Sequence, residues 1–91
     1  MKKKYAWEIG DKIFVRTVTY HYVGKLVDES DHSFWLENAS WVADSGRFHN
    51  ALETGTLSEV EPYPGDGIVE IMKTGIIDIC EWKHNLPEEV A

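Results

Sequence analysis

The run IFVRTVTYHY, residues 13–22, constrains the fold more than any other part of the sequence, because most of its residues are β-branched or aromatic. Such residues favour β-strands. Neither of the two alternating sets of side chains is purely polar, which predicts a strand that is buried on both sides or lies at a subunit contact. Gly24 follows closely, and a glycine within extended sequence is typical of a bulge or a sharp bend. The run therefore predicts a small and strongly bent β-structure.

Short strands separated by turns make up most of the remaining chain. The clearest turns are the polar cluster at residues 28–33 and the loop PYPGDG at residues 62–67. The count of four or five strands indicates a small β-barrel or a strongly bent sheet. Around the turns we predict strands at residues 34–42, 68–72 and 76–82, a shorter extended segment at residues 56–61 and a tight turn at residues 73–75.

One short helix is predicted between these strands. Apolar side chains within residues 46–54 are spaced i, i+3, i+4, as on one face of an amphipathic helix. Gly55 suits the C-cap, because glycine readily adopts the left-handed conformation that ends many helices. Asp44 or Ser45 is the expected N-cap, because its side-chain oxygen can accept a free backbone N–H.

The chain has 91 residues, the size of one domain, and we interpret residues 1–8 and 84–91 as tails. A domain this small buries a modest fraction of its surface, so we expect oligomerisation. The formal net charge of −7, from 16 acidic and 9 basic residues, disfavours long nucleic acid as a ligand, since that binding needs a basic face. A small ligand with a few phosphates remains compatible, because a few arginines can hold it.

The sequence also argues against a membrane span and against a metal site. No apolar run reaches the roughly 18 residues that cross a bilayer, and the basic start lacks the apolar core of a signal peptide. We therefore expect a cytoplasmic protein without a membrane partner. The single cysteine, Cys80, suits a small buried position, and the histidines lack the spacing of zinc ligands. Neither a metal, a cofactor nor a catalytic residue is predicted.

Two segments are similar to the sequence motifs of Sm-like proteins, the family that includes Hfq. Residues 18–27 and 34–39, on either side of the acidic turn, resemble the first motif, and residues 71–79 resemble the second. The resemblance implies a bent five-stranded barrel that closes into a homo-oligomeric ring through its edge strands. The predicted fold is thus a mainly β, Sm-like or SH3-like barrel of about five strands with one short inserted helix.

Three stretches also resemble a group of short, uncharacterised proteins encoded by bacteriophages. They are TVTYHYVGKLV, WVADSGRFHNALETGTLSEVEP and EWKHNLP. This similarity covers most of the chain and implies a location in the cytoplasm of an infected bacterial host. It implies no particular activity.

Asp44, Ser45, Gly46 and Arg47 form a candidate ligand site where a strand gives way to the helix. In a functional interpretation, the N–H groups of the helix start attract an anion, Gly46 allows close backbone approach and Arg47 binds a phosphate or carboxylate. Trp41, just upstream, can stack on a base. In a structural interpretation, an acidic or hydroxyl side chain caps the helix and Arg47 pairs with a nearby acid.

Arg16, Thr19 and His21 are further candidate binding residues, on the strand predicted at residues 13–22. A buried arginine needs a partner, because an unpaired buried charge is costly. For Arg16 that partner is either an internal acid such as Glu37 or a bound anion. The polar side chains around His21 suit either a pocket or a subunit interface.

Three functional classes follow. The first is a non-enzymatic oligomer that binds a small anionic ligand; in a phage, it would sequester a nucleotide immune signal of the host. The second is a structural or protein-binding oligomer of phage assembly, which Tyr- and Trp-rich strands and an acidic surface fit equally well. The third is Hfq-like RNA binding, which the net charge opposes. An enzyme is not expected, because no nucleophile, metal set or acid–base pair stands out.

Overall fold

The computed structural model describes residues 6–91, and within them six antiparallel strands form one sheet. The strands are β1 (Lys12–Thr17), β2 (His21–Glu29), β3 (Ser33–Asp44), β4 (Glu59–Pro62), β5 (Val69–Met72) and β6 (Ile76–Glu81). In the same residues, one α-helix, α1 (Phe48–Thr54), lies between β3 and β4, and a 3-10 turn (Lys73–Gly75) lies between β5 and β6. The prediction of a mainly β fold with one short inserted helix is confirmed.

β3 is the strand that organises the sheet. The strand order is β4-β3-β2-β1-β6, and β5 also pairs with β3. Because β3 is 12 residues long, it pairs with β5 through residues 33–36 and with β4 through residues 40–44. Asn38 lies between these two regions and has a positive φ of 48°. The sheet is open in this order, and its closure into a barrel and assembly into a ring stay predictions.

The chain reverses within residues 18–20, so the prediction of one strand at residues 13–22 is wrong. β1 and β2 instead form a hairpin in which Arg16 pairs with His21. The Thr17 N–H and hydroxyl both donate to the Tyr20 carbonyl, and the Tyr20 N–H donates back to that hydroxyl. Hydrogen bonds of the Thr17 side chain stabilise this turn, which contains no glycine. The β-branched composition of the segment therefore did not predict a turn.

Apolar side chains are buried on both faces of the sheet, in two clusters. In β1, Ile13 and Val15 belong to one cluster and Phe14 to the other, and all three are fully buried. Burial on both sides is therefore confirmed for β1. The first cluster consists of Ile13, Val15, Leu26, Phe34, Leu36, Ala39 and Ile71, and the second of Phe14, Val23, Val42, Ala51, Leu57, Val60 and Trp82.

The helix begins later than its predicted cap. Arg47 is the N-cap of α1 and its side chain makes no capping bond. The prediction of Asp44 or Ser45 at this position is wrong, because Asp44 ends β3 and its Oδ1 accepts the Gly46 N–H at 2.7 Å. Gly55 is confirmed as the C-cap, with a φ of 78° and its N–H donated to the Ala51 carbonyl.

The segment predicted as a C-terminal tail, residues 84–91, contacts the rest of the fold. The backbones of Ala91 and Val60 exchange two hydrogen bonds of 2.9 and 3.0 Å, which attach the end of the chain to β4. Leu86 packs against the second cluster, and His84 Nε2 lies 2.7 Å from the Leu52 carbonyl. Of the segment predicted as an N-terminal tail, residues 1–5 lie outside the described residues.

Candidate functional site

The residues predicted to bind ligand divide between the two faces of the sheet. Arg16 and His21 face each other across β1 and β2, and the next side chain along β2, Tyr22, points to the opposite face. Trp41 pairs with Tyr22 across β2 and β3 and shares its face. The structure therefore does not bring Trp41 together with Arg16.

Arg16 is paired within the chain. Its guanidinium donates to both carboxylate oxygens of Asp78 on β6 and lies 4.8 Å from the centre of the Phe48 ring. This bidentate hydrogen-bonded pair raises the pKa of Arg16 and lowers that of Asp78. The partner of Arg16 is thus an internal acid, although not Glu37, which lies 3.4 Å from Lys25.

His21 lies opposite Arg16 on the paired strand, and Thr19 lies in the turn that connects them. The His21 ring packs 5.7 Å from the Phe14 ring, and its Nδ1 is buried without a hydrogen-bond partner in the described chain. Thr19 lies at the exposed tip of the hairpin between β1 and β2. Arg16 and His21 therefore pack against aromatic rings at the border of the second cluster, and the partly exposed Asp78 pairs with Arg16 there.

In the strand-to-helix segment, residues 44–47, one cationic side chain is unpaired among the described residues, but the backbone is not arranged to bind an anion. The Asp44 carboxylate accepts the Gly46 N–H, so a negative group already occupies the place that an anion would take. The Ser45 hydroxyl donates to the Gly46 carbonyl at 3.2 Å, and Gly46 has a φ of 71°. Arg47 is exposed and makes no ion pair with any other residue of the described chain.

An aromatic cleft surrounds Trp41 on the face of the sheet opposite Arg16. Its cavity has a volume of about 530 Å³. The rings of Tyr20 and Trp41 meet edge to face, with their centres 4.9 Å apart and their planes at 61°. The sequence analysis singled out Trp41 but missed the cleft. We define the aromatic cleft by its lining residues Tyr20, Tyr22, Trp41, Glu61, Pro62, Tyr63 and Pro64.

The loop after β4 carries Tyr63 into the cleft and is fixed to the bend of β3. The Tyr63 N–H donates to the Ala39 carbonyl at 2.9 Å. In return, the N–H groups of Asn38 and Ala39 donate to the carbonyls of Asp66 and Gly67 at 2.9 and 3.0 Å. A Cβ on Gly67 would lie 2.9 Å from the Ala39 nitrogen, so this close approach requires glycine. The loop therefore holds one wall of the cleft in place.

The cleft combines aromatic surface with negative charge. Glu61 on β4 faces Trp41 across the strand pair and is the charged residue among the described residues that line the cavity. Burial raises the pKa of the Tyr63 hydroxyl, and the Tyr22 hydroxyl beside it adds to the effect, so Tyr63 stays protonated at neutral pH. The Tyr63 ring can therefore present an uncharged, electron-rich face to a ligand, as the indole of Trp41 also can.

A larger hollow of about 790 Å³ lies on the other side of Tyr63, against residues 85–89. Its lining is more polar and includes Lys12, whose ammonium donates to the His84 carbonyl, together with Glu88 and Glu89. The aromatic cleft is the stronger candidate for a ligand site, because binding sites for small molecules are lined mainly by apolar and aromatic side chains.

Metal-binding groups are not assembled in the described part of the chain. Among residues 6–91, no three His, Cys, Asp or Glu side chains are placed to hold a metal ion. Burial, with a contribution from Asp78, raises the pKa of the Cys80 thiol, which keeps it in the weakly nucleophilic protonated form. No helix in this region is long and apolar enough to cross a membrane.

No family model matches the chain, and comparisons with curated proteins and with solved structures found no match either. The resemblances to Sm-like proteins and to phage-encoded proteins therefore stay predictions. Function has to be inferred from the geometry of the site itself.

Proposed function

We propose that the protein is a non-enzymatic binding protein whose ligand site is the aromatic cleft. The observation that carries this proposal is a single cavity of about 530 Å³ lined by four aromatic rings and two prolines. That volume is typical of small-molecule sites. Rings from β2, β3 and the loop after β4 meet there, and backbone hydrogen bonds hold the loop in position. The site is therefore preorganised, which lowers the entropic cost of binding.

A nucleotide is one ligand class for this site. A base can stack on Trp41, as bases do on aromatic side chains in single-strand binding proteins. The phosphates would lack the arginines expected from the sequence, because Arg16 pairs with Asp78 on the opposite face and Arg47 is not among the described residues that line the cleft. Sequestration of a nucleotide signal in an infected host would thus depend on the base, and Glu61 would repel a nearby phosphate.

Binding to the cleft can be tested by titrating the protein with mono- and cyclic nucleotides, nucleosides and small organic cations. Isothermal titration calorimetry measures the affinities. For a stacked ligand, Trp41→Leu should weaken binding by roughly 10- to 100-fold, since such stacking contributes about 1–3 kcal/mol. Trp35→Leu is the matched control, because Trp35 lies on the same strand outside the cleft. Equal loss in both variants, or none in Trp41→Leu, contradicts the assigned site.

A homo-oligomer with a structural or protein-binding role is the second candidate, and an open sheet edge favours it. β6 ends the sheet and pairs with β1 alone within residues 6–91. Ile77 on this strand is 62% exposed. An unpaired edge with an exposed apolar side chain is a template for pairing with another chain. Strand pairing between copies would also serve the expected alternative role in phage assembly, whereas the net charge of −7 opposes Hfq-like RNA binding.

Native mass spectrometry tests the oligomer directly. We expect a discrete homo-oligomer that Ile77→Lys dissociates, because a lysine at the edge blocks strand pairing. Val90→Lys is the control, since Val90 is also exposed but lies outside the strands. A monomeric protein, or an oligomer that tolerates Ile77→Lys, overturns this candidate.

A further inference from the structure

We infer that the ligand of the aromatic cleft is a cation whose charge is carried by a quaternary ammonium group. This inference rests on the proposed function, because it names the chemical class of ligand for the same site. It departs from the anionic ligand that the sequence suggested.

The angle between the rings favours a rounded group over a flat one. Tyr20 and Trp41 stand at 61° to each other, with ring centres 4.9 Å apart, and so form a corner. Tyr22 lies beside Trp41 on the neighbouring strand, and Tyr63 closes the cleft from the loop. A quaternary ammonium can contact several inclined rings at once, and the negative ring faces attract its charge.

The charges around the cleft favour a cation as well. Glu61 faces Trp41 across the strand pair and places a carboxylate at the cavity wall, and among residues 6–91 neither a lysine nor an arginine lines the cleft. At two other rings the cation comes from the chain itself, since Arg16 lies over Phe48 and Lys73 lies over Phe34, each 4.8 Å from the ring centre. The net charge of −7 adds a long-range attraction for cations.

Methylation of the cation matters because the cleft wall is mainly aromatic and apolar. A bare ammonium is compact and strongly hydrated, so it loses hydrogen bonds to water when it enters such a site. A quaternary ammonium has no N–H to satisfy, and its methyl groups can pack against rings and the faces of Pro62 and Pro64. The cleft therefore suits the methylated cation better than a free lysine or a primary amine.

Choline is the probe that tests this chemistry, with two matched comparisons. 3,3-Dimethylbutan-1-ol has nearly the same shape without the charge, and ethanolamine has the charge without the methyl groups. We expect calorimetry to show that choline binds about 10-fold more tightly than the neutral isostere, a difference within the range of cation–π attraction. Choline should also bind more tightly than ethanolamine.

Two substitutions on β4 separate the role of the cleft carboxylate from that of general surface charge. Glu61→Gln should weaken choline binding several-fold, because it removes the negative charge beside Trp41. Glu59→Gln removes an equal charge two residues earlier, outside the cleft, and should leave the affinity unchanged. Trp41→Leu should abolish binding while Trp35→Leu preserves it. Near-ultraviolet circular dichroism of each variant confirms that the fold is retained.

The outcomes separate this inference from the proposed function. Equal affinity for choline and its neutral isostere, or no effect of Glu61→Gln, overturns the cation assignment. Nucleotide binding that depends on Trp41, with no choline binding, overturns the inference and leaves the proposed function standing. No binding of any probe at the cleft overturns both. Where choline binds, co-sedimentation with phosphatidylcholine vesicles separates a lipid headgroup from a free small molecule as the source of the group.

Discussion

Gly24 shows most directly how one residue controls the bend of the sheet. The register between β2 and β3 shifts between Val23 and Lys25, on either side of this glycine. A Cβ at this position would lie 3.0 Å from Leu36 Cβ and 3.1 Å from the Ala39 backbone. The bend predicted from the sequence is thus present, and a side chain at this position would fit only if β3 moved by a few tenths of an ångström.

Replacing Gly24 with alanine should therefore destabilise the fold. We expect a loss of about 1–3 kcal/mol in the free energy of unfolding, the usual cost of overpacking a core. Urea denaturation followed by tryptophan fluorescence gives this value. Gly75→Ala is the control, because nothing lies within 4 Å of a Cβ there, and it should change stability by less than about 0.5 kcal/mol. Equal stability of the two variants would show that β3 moves aside at little cost.

The ion pair of Arg16 and Asp78 predicts a dependence of stability on pH. The hydrogen bonds from Arg16 lower the pKa of Asp78 in the folded state. The stability that this carboxylate contributes is therefore fully present at neutral pH, above its unfolded pKa, and is lost as the pH falls through the lowered folded pKa. Asp78→Asn should be less stable than the parent at pH 7, and the difference should shrink towards pH 2.

The effect should be small, because both side chains of the pair are more than a third exposed and water screens the attraction. Urea midpoints recorded from pH 7 to pH 2 measure it. Asp31→Asn serves as the control, since Asp31 is exposed and has no ion pair with another described residue. A difference between parent and Asp78→Asn that stays constant over this range counts against a lowered pKa.

At the scale of elements, the start of α1 is the place where the sequence does not supply the usual stabilising residue. Arg47 occupies the N-cap with extended backbone angles, and its side chain leaves the first N–H groups of the helix without a cap. Arg47→Asp should raise the free energy of unfolding by about 1 kcal/mol, because the carboxylate can accept one of those N–H groups.

Thermal denaturation of Arg47→Asp and of Ser45→Ala tests this assignment of the cap. Ser45→Ala should change stability by less than about 0.5 kcal/mol, since the hydroxyl donates to the Gly46 carbonyl and does not cap the helix. A clear loss in Ser45→Ala would restore Ser45 as the N-cap that the sequence suggested.

Elements bounded by glycine, proline or polar clusters were predictable from the sequence. β3 follows the acidic turn, β5 follows the PYPGDG loop, and α1 ends at Gly55 as expected. The hairpin between β1 and β2 was not predictable, because Thr17 bonds replace the expected turn residues. Trp41 could be singled out as an aromatic candidate, but its neighbours Glu61 and Tyr63 could not. Glu61 and Tyr63 lie beside Trp41 because β4 pairs with β3, although α1 separates the two strands in the sequence. No local sequence pattern predicts the register of such a long-range pair.

At the scale of the whole molecule, Trp82 connects parts of the chain that are far apart in sequence. It is 1% exposed, and its ring stacks on Phe14 of β1 with centres 5.8 Å apart. Its Nε1 donates to the Asn85 carbonyl at 3.1 Å, and its ring meets His84 edge to face. His84 in turn contacts α1, because its Nε2 lies 2.7 Å from the Leu52 carbonyl. Trp82 therefore contacts, directly or through His84, the sheet, the helix and residues 84–91.

Loss of Trp82 should accordingly cost a large part of the stability of the molecule. Trp82→Ala should lower the free energy of unfolding by about 3–5 kcal/mol through the cavity it leaves, against a total on the order of 5–15 kcal/mol for a typical domain. Trp82→Phe keeps a ring but loses the bond to the Asn85 carbonyl, so a smaller loss, of about 1–3 kcal/mol, is expected. Val90→Ala, at a position 72% exposed, is the control and should stay within about 0.5 kcal/mol.

Urea denaturation ranks the three variants. If Trp82→Ala loses less than Trp82→Phe, or no more than Val90→Ala, then residues 84–91 do not pack on the sheet through this side chain.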